Sequence, residues 1–283
     1  MKKVFLSSND NPLYIQFWPI AATAWKNYGF DPVLSLVTDR KHKDWKWMEE
    51  FGEVDRFNLR PELPAGNWAK VARFFSYYKY DNLKGMVGDI DMLPLNKDYF
   101  DNLFTYDEDK LVLSSFDAYE GMGFRGEYPY YKFPGCYMVA TGKTWKNIIN
   151  PQDLTEHELI KSFYNLKVYK ESGTYKEGIN YPYEQFSEES LIRVLVYRWD
   201  NQFKNIVKLK RPGGWSSSGA VTRIDRSRWS FDESKLREGY YLDAHCLRPL
   251  QNFKTQINPI TEYLNIPREL IDLGIKKSQE IFR

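Results

Sequence analysis

The chain has 283 residues, 42% of them hydrophobic and 28% charged, a composition that suits a folded protein and excludes a disordered one. Lys and Arg number 40 against 38 Asp and Glu, a net charge of +2, so the strong basic bias of a dedicated nucleic-acid binder is missing. Two cysteines, Cys136 and Cys246, exclude a disulfide framework, and no run approaches the roughly 20 apolar residues of a membrane span.

Lys3 to Ser8 reads as a short buried strand ending in small polar residues. Its apolar run, Val4 to Leu6, is too short for a secretory signal, so a soluble, cytoplasmic protein without a membrane span is expected. Asn9, Asp10 and Asn11 can cap a helix that Pro12 opens and Gly29 stops, with Pro19 interrupting it. Pro32 to Val37 is a second strand, Asp44 to Phe51 a short helix, and Val54 to Leu59 a third strand. This alternation predicts a parallel α/β sheet with right-handed crossovers.

A helix from Gly66 or Asn67 to about Tyr80 follows, with Trp68, Val71, Ala72, Phe75 and Tyr78 on its buried face and Lys70, Arg73 and Tyr77 on another. Met86-Val87-Gly88 reads as a central strand running directly into Asp89-Ile90-Asp91. Further strands are expected at Leu111–Phe116, Gly135–Ala140, Ile206–Leu209 and Tyr240–Asp243. Helices are expected at Gly142–Ile149, Thr155–Asn165, Ser187–Trp199 and Arg268–Phe282. Pro212 to Gly219, rich in Gly and Ser with Trp215 among them, reads as a mobile loop or lid flanked by Lys210, Arg211, Arg223, Arg226 and Arg228. One domain spans the chain, with residues 1–95 the nucleotide-binding half, 96–250 the acceptor half and 251–283 a helical tail.

Two carboxylates two residues apart at the carboxyl edge of an open sheet repel each other unless a cation joins them. A hard divalent ion fits, because Mg²⁺ and Mn²⁺ prefer carboxylate and phosphate oxygens. The alternative is a solvated acidic turn. The aromatic content, 17% with 21 Tyr, 18 Phe and 9 Trp, suits a heavy aromatic core and also a cleft that handles sugars.

The segment carrying Lys70 and Arg73, followed by Lys84-Gly85-Met86-Val87-Gly88-Asp89-Ile90-Asp91-Met92-Leu93-Pro94-Leu95, resembles the core of glycosyltransferases with the GT-A fold. That resemblance implies a Rossmann-like, mixed, mostly parallel sheet flanked by helices, and a metal bridging the Asp-x-Asp motif to the diphosphate of a nucleotide-sugar donor. Tyr241-Leu242-Asp243-Ala244-His245 is similar to the late strand and histidine of the retaining glycogenin-like family. It implies His245 as third metal ligand beside Asp89 and Asp91, with Mn²⁺ or Mg²⁺ as cofactor, and weakly favours retention. The Gly-x-x-Lys-Pro continuation of that family is absent; Cys246-Leu247-Arg248-Pro249 stands there, leaving Arg248 as the candidate phosphate contact.

By the same resemblance Ser7, Ser8 and Asn9 underlie the nucleoside, Asp39 holds base or ribose or else caps a turn, and Lys70 and Arg73 serve phosphate or sugar. His245 also reads as a buried structural histidine, and Arg73 as half of a surface ion pair. The implied substrates are a nucleotide sugar, a UDP-sugar first, and a carbohydrate acceptor. An inverting enzyme needs a carboxylate base, for which Asp117, Glu184, Glu188 and Glu189 are the candidates; Glu188 and Glu189 also suit a helix first turn. Rival functions are a phosphatase of the haloacid-dehalogenase type and a non-catalytic sugar- or nucleotide-binding protein.

Overall fold

A computed structural model describes residues 2–61, 64–119, 132–165, 188–217 and 219–281. The expected candidate base Glu184 therefore lies outside the described residues. The strands, in chain order, are β1 (Lys2–Asn9), β2 (Phe30–Val37), β3 (Glu53–Phe57), β4 (Lys84–Val87), β5 (Met92–Pro94), β6 (Leu111–Leu113), β7 (Met138–Thr141), β8 (Ile206–Lys208), β9 (Trp215–Ser216), β10 (Gly219–Ala220), β11 (Arg223–Asp225) and β12 (Asp243–His245). The helices are α1 (Pro12–Ile15), α2 (Trp18–Asn27), α3 (His42–Trp45), α4 (Ala65–Tyr77), α5 (Lys97–Asn102), α6 (Gly142–Ile149), α7 (Glu156–Asn165), α8 (Glu188–Trp199), α9 (Glu233–Arg237), α10 (Leu250–Tyr263) and α11 (Glu269–Glu280).

Seven strands form one sheet in the order β3-β2-β1-β4-β7-β6-β8. The first four are parallel, β7 runs antiparallel to both β4 and β6, and β8 is again parallel to β6. This is the mixed, mostly parallel sheet expected from the alternating elements. Its strands read as apolar runs because both faces are covered. Val4 and Leu6 point into a core beneath α2 and the C-terminal helices, while Phe5 points into a second core beneath α4, α6 and α8.

The interrupted N-terminal helix resolves into α1 and α2. Asn11 caps α1, its side chain accepting from Leu13 N, and Pro19 sits in the first turn of α2, where its missing N–H costs nothing. Helix α4 is more deeply enclosed than a two-faced pattern implies. Arg73 and Tyr77 are as buried as Trp68 and Phe75, Lys70 stays exposed, and Tyr78 is only half-buried.

Three expectations shift at the far end of the chain. The last strand is Asp243–His245 rather than Tyr240–Asp243, because its pairing with β5 begins only at Asp243 opposite Pro94. The expected helical tail over residues 251–283 holds a helix, α10, ahead of the one placed at Arg268–Phe282; Pro259 lies inside it, and burial of Leu250, Ile257 and Ile260 outweighs the hydrogen bond lost there. The stretch expected as a mobile loop or lid carries a small hairpin, in which β9 pairs antiparallel with β10. Helix α11 closes the core against the α1–α2 connection, where a Cβ at Gly274 would stand 2.2 Å from the Gln16 carbonyl oxygen. Only glycine permits that approach.

A second sheet, β11-β12-β5, lies beside the first. Arg223 pairs with Asp243 and Asp225 with His245 across β11 and β12, and His245 pairs with Met92 across β12 and β5. Asp243 is fully buried. It accepts from Arg211 Nη2 at 2.7 Å and from Arg223 Nε and Nη2 at 2.9 Å each. Burial alone would raise its pKa, and the two guanidiniums overcome this and hold the carboxyl well below the usual carboxylate range.

Removing the Asp243 charge leaves two guanidiniums facing each other without compensation, so Asp243→Asn is expected to cost about 3–5 kcal/mol. Urea denaturation at pH 7 measures it, and a loss below about 1 kcal/mol would contradict the account. The depressed pKa makes this stabilisation complete above the carboxyl's unfolded value and removes it as pH falls toward the folded one. The gap between wild type and Asp243→Asn should therefore narrow in acid.

Candidate active site

β4 ends at Val87 opposite Phe5, and β1 runs on to Asn9 beyond it. The chain leaves β4 through Gly88, whose N–H donates to Phe5 O, and turns at Asp89-Ile90-Asp91 into β5. A cavity of about 320 Å³ opens at this carboxyl edge. Ser7, Ser8 and Asn9 line it from β1, Asn11 and Tyr14 from α1, Lys70 and Arg73 from α4, and Asp89, Ile90 and Asp91 from the turn. Glu188, Arg226 and His245 close it. Open α/β sheets place ligands at this edge.

The two aspartates have separate partners. Arg73, 1% exposed, donates through Nη1 to Asp89 Oδ1 at 2.6 Å and to Gly88 O at 2.7 Å, and through Nη2 to Gly135 O at 2.7 Å. It is an internal strut tying the Asp-x-Asp turn to the loop before β7. Asp91 points the other way. Its Oδ2 lies 2.9 Å from Arg226 Nη1, 3.5 Å from His245 Nε2 and 3.5 Å from Arg248 Nε. Burial works to raise the Asp91 pKa, and the His245 contact with the Arg248 and Arg226 charges overcomes it, leaving the carboxyl below its usual range.

His245 reaches Asp91 because of strand register. It pairs with Met92, the residue after Asp91, and Cys246 N donates to Asp91 O at 2.9 Å. Its other ring nitrogen lies 3.5 Å from Asp225 Oδ2. Arg248 lies with its guanidinium 4.3 Å from the centre of the Tyr14 ring, a stacking that fixes it at the cavity's edge.

The acidic candidates divide by partner. Asp117 accepts from the Arg211 backbone N–H. Glu189 accepts from Tyr119 Oη and Gly135 N and pairs with Lys132 at 2.7 Å. Both hold loops in place. Glu188 faces the cavity with its side chain 13% exposed, and its two cations, Lys70 Nζ and Arg73 Nη2, both stand at 3.6 Å, outside hydrogen-bond range. Burial pushes its carboxyl above the usual carboxylate range, Lys70 and Arg73 only partly opposing it.

Ser7, Ser8, Asn9, Lys70, Arg73, Asp89, Asp91, Glu188 and His245 are thus brought together as the sequence suggested, with Arg248 at the rim. Asp39 is not among the lining residues; it is exposed, and its Oδ1 accepts from Leu59 N as a turn cap. Arg73 is buried within the fold and is no surface ion pair. Of the basic residues expected around a lid, Arg211 and Arg223 are instead committed to Asp243, and Arg226 alone lines the cavity. Asn11, Tyr14 and Asp225 carried no signal in the sequence beyond ordinary cap, core and turn residues.

Among the described residues no three His, Cys, Asp or Glu side chains converge on one ion-sized point. Asp91 and His245 do supply an oxygen and a nitrogen 3.5 Å apart, a spacing that two ligands of one ion can share when each stands about 2.2 Å from it. Asp89, the third expected donor, has one oxygen on Arg73, so the donor set present is a pair with Asp89 behind it.

A buried carboxyl raised above its unfolded value favours the protonated form, so it adds stability at low pH that is lost as pH rises through its folded pKa. Glu188→Gln is expected to be at least as stable as wild type at pH 7, with the difference shrinking toward pH 4. Glu189→Gln, which disturbs three partners, should lose about 1–2 kcal/mol. Guanidinium titrations of both variants test the contrast, and a Glu188→Gln variant less stable than Glu189→Gln reverses it.

No family model and no curated protein sequence matches the chain. Solved structures do. The galactosyltransferase LgtC, in complex with donor and acceptor sugar analogues, is 15% identical with a TM-score of 0.50, covering 95% of this chain and 98% of that one. The glycosyltransferase GlyE of Streptococcus pneumoniae TIGR4 is 14% identical with a TM-score of 0.49, covering 96% of this chain and 63% of that one. The bifunctional glycosyltransferase WbbM is 11% identical with a TM-score of 0.46, covering 97% and 51%. The fold of this chain, a seven-stranded mostly parallel sheet between helices, is the one GT-A glycosyltransferases have.

Proposed function

We propose that the chain is a glycosyltransferase that moves a sugar from a nucleotide diphosphate, a UDP-sugar first, to a carbohydrate hydroxyl. One observation carries this proposal. The cavity at the carboxyl edge of β1 and β4 gathers a cationic group around Asp91 and an acidic group around Arg73. Arg226, Arg248 and His245 suit a diphosphate; Asp89 and Glu188 suit the hydroxyls of a sugar. Ser7, Ser8, Asn9 and Asn11, which line the same cavity, suit the nucleoside. The solved complex of LgtC with donor and acceptor analogues supports the proposal by its shared fold.

Asp91 and His245 would hold a divalent ion, Mn²⁺ or Mg²⁺, which when bound neutralises charge on the diphosphate. The chain's own residues do the rest. Arg248, fixed over Tyr14, and Arg226 offer donors to the leaving diphosphate. Arg73 fixes the rotamer of Asp89, so a hydroxyl held by Asp89 meets a rigid acceptor. Glu188 is the acid among the described candidates free to face the reacting sugar. Retention of configuration rests on the resemblance around His245, and the anomeric proton coupling of the product tests it.

The rival functions fit less well. A phosphatase of the haloacid-dehalogenase type would need the first aspartate as a free nucleophile, and Asp89 is hydrogen-bonded to a buried guanidinium. A plain binding protein has no need of Glu188, a buried acid whose burial costs stability.

Titration of UDP into the protein with Mn²⁺ should give measurable heat, and Asp91→Asn should abolish the Mn²⁺-dependent part while leaving the fold intact. A panel of UDP-sugars assayed for release of UDP should show turnover of at least one. Equal UDP binding by Asp91→Asn and wild type overturns the assignment of Asp91.

A further inference from the structure

We infer that Arg226 is a resident counter-ion for the cation site and that it trades Asp91 for the diphosphate when a divalent ion enters, coupling the two ligands. The inference rests on the proposed function and concerns the order in which its ligands are accepted.

Three cationic groups face one Asp91 oxygen, and they are held differently. His245 is carried on β12 in fixed register and lies between Asp91 and Asp225. Arg248 is stacked on Tyr14. Arg226 has the shortest contact, 2.9 Å, yet Asp91 is its one hydrogen-bond partner among the described residues, and its side chain is 33% exposed. It stands in a turn whose backbone is fixed by Asp225: Ser227 N and Oγ donate to Asp225 Oδ1, and Arg228 N donates to Asp225 O. The backbone at Arg226 is therefore set while its long side chain can pivot within the cavity it lines.

A divalent ion on Asp91 Oδ2 would stand about 2.0–2.5 Å from that oxygen. The Arg226 guanidinium on the same oxygen would then be a like charge close by in a partly desolvated site, so the two compete. A diphosphate entering with the ion gives the displaced guanidinium a better partner, because phosphate offers several anionic oxygens in the planar, two-pronged geometry that arginine matches. Arg226 thus weakens binding of the ion alone and strengthens binding of the nucleotide diphosphate together with the ion. In the unliganded protein it keeps the buried Asp91 carboxylate paired.

The coupling predicts opposite effects from one substitution. In Arg226→Gln, Mn²⁺ binding without nucleotide, followed by the loss of the free-ion paramagnetic resonance signal, should tighten about fivefold. UDP binding at saturating Mn²⁺, followed by calorimetry, should weaken about tenfold. Arg228→Gln, in the same turn, is the control for a general loss of positive charge and should change neither by more than about twofold. Circular dichroism and melting confirm that each variant is folded. Mn²⁺ affinity of Arg226→Gln equal to or weaker than wild type overturns the inference, as does unchanged UDP binding. Wild type that binds UDP with Mn²⁺ while Arg226→Gln shows no opposite shift overturns this inference alone, whereas wild type that binds neither ligand overturns the proposed function with it.

Discussion

The buried ion triad of Arg211, Asp243 and Arg223 fixes the geometry on which the site depends. Asp243 opens β12, and its two arginines come from β11 and from the segment before the hairpin. A carboxylate without solvent, held by two guanidiniums, tolerates no shift of one residue along the strand. Register propagates from there. With Asp243 opposite Arg223 and Pro94, His245 must fall opposite Asp225 and Met92. One strand slip would send His245 to the other face and leave Asp91 without its imidazole. The triad does not line the cavity, yet it decides which groups meet there.

The cavity built on this frame is electrically divided. Asp91 sits among Arg226, Arg248 and His245, while Asp89 and Glu188 share Arg73, with Lys70 near Glu188. The division follows from the turn itself. An extended segment would put residues 89 and 91 on the same side; here the chain turns between them, Met92 N donating to Asp89 O, and Ile90, buried between the aspartates, keeps the turn anchored. Asp89 and Asp91 are thus two residues apart and yet serve different partners. One faces groups from α4, the other Arg226, His245 and Arg248, and the cavity between them has the Asp89 and Glu188 carboxylates at one end and three cationic groups around Asp91 at the other.

Much of this was legible in the sequence because it is local or periodic. The strand running into Asp89-Ile90-Asp91, the basic helix with Lys70 and Arg73, and the small polar end of β1 are contiguous patterns, and the parallel sheet places their ends together. His245 was legible only through resemblance, since its approach to Asp91 is made by pairing residues about 150 positions apart. The assignment of the arginines was not legible. Arg211, Arg223 and Arg226 look alike beside a Gly-rich stretch, and only tertiary pairing sends two to Asp243 and one into the cavity. The tail was legible as helical over 251–283, but the extent of α10 was not, since Pro259 lies inside it and the buried face that offsets it is a long-range property. Asp39 misled in the opposite way: a strand-end aspartate suits a ribose and a turn equally, and here the backbone N–H of Leu59 claims it.

The stretch expected to be a lid is constrained by the same triad. Gly213, Gly214 and Gly219 all adopt positive φ, at 77°, 67° and 109°, a region side chains other than glycine rarely occupy, so these glycines shape a hairpin before they confer mobility. Its base is closed by Gly214 N on Arg211 O, Val221 N on Gly214 O and Thr222 Oγ1 on Pro212 O. Arg211 is in turn held by Thr222 and Asp243. Moving the base of the hairpin would extract a buried guanidinium from its carboxylate, while Trp215 toward its tip is 37% exposed. Beyond the hairpin, at Arg226, a turn fixed by Asp225 carries a long side chain into the cavity. The fold thus joins a hairpin tied at its base to a cavity-lining arginine on a fixed turn, and the exchange of partners proposed for Arg226 needs no movement of that frame.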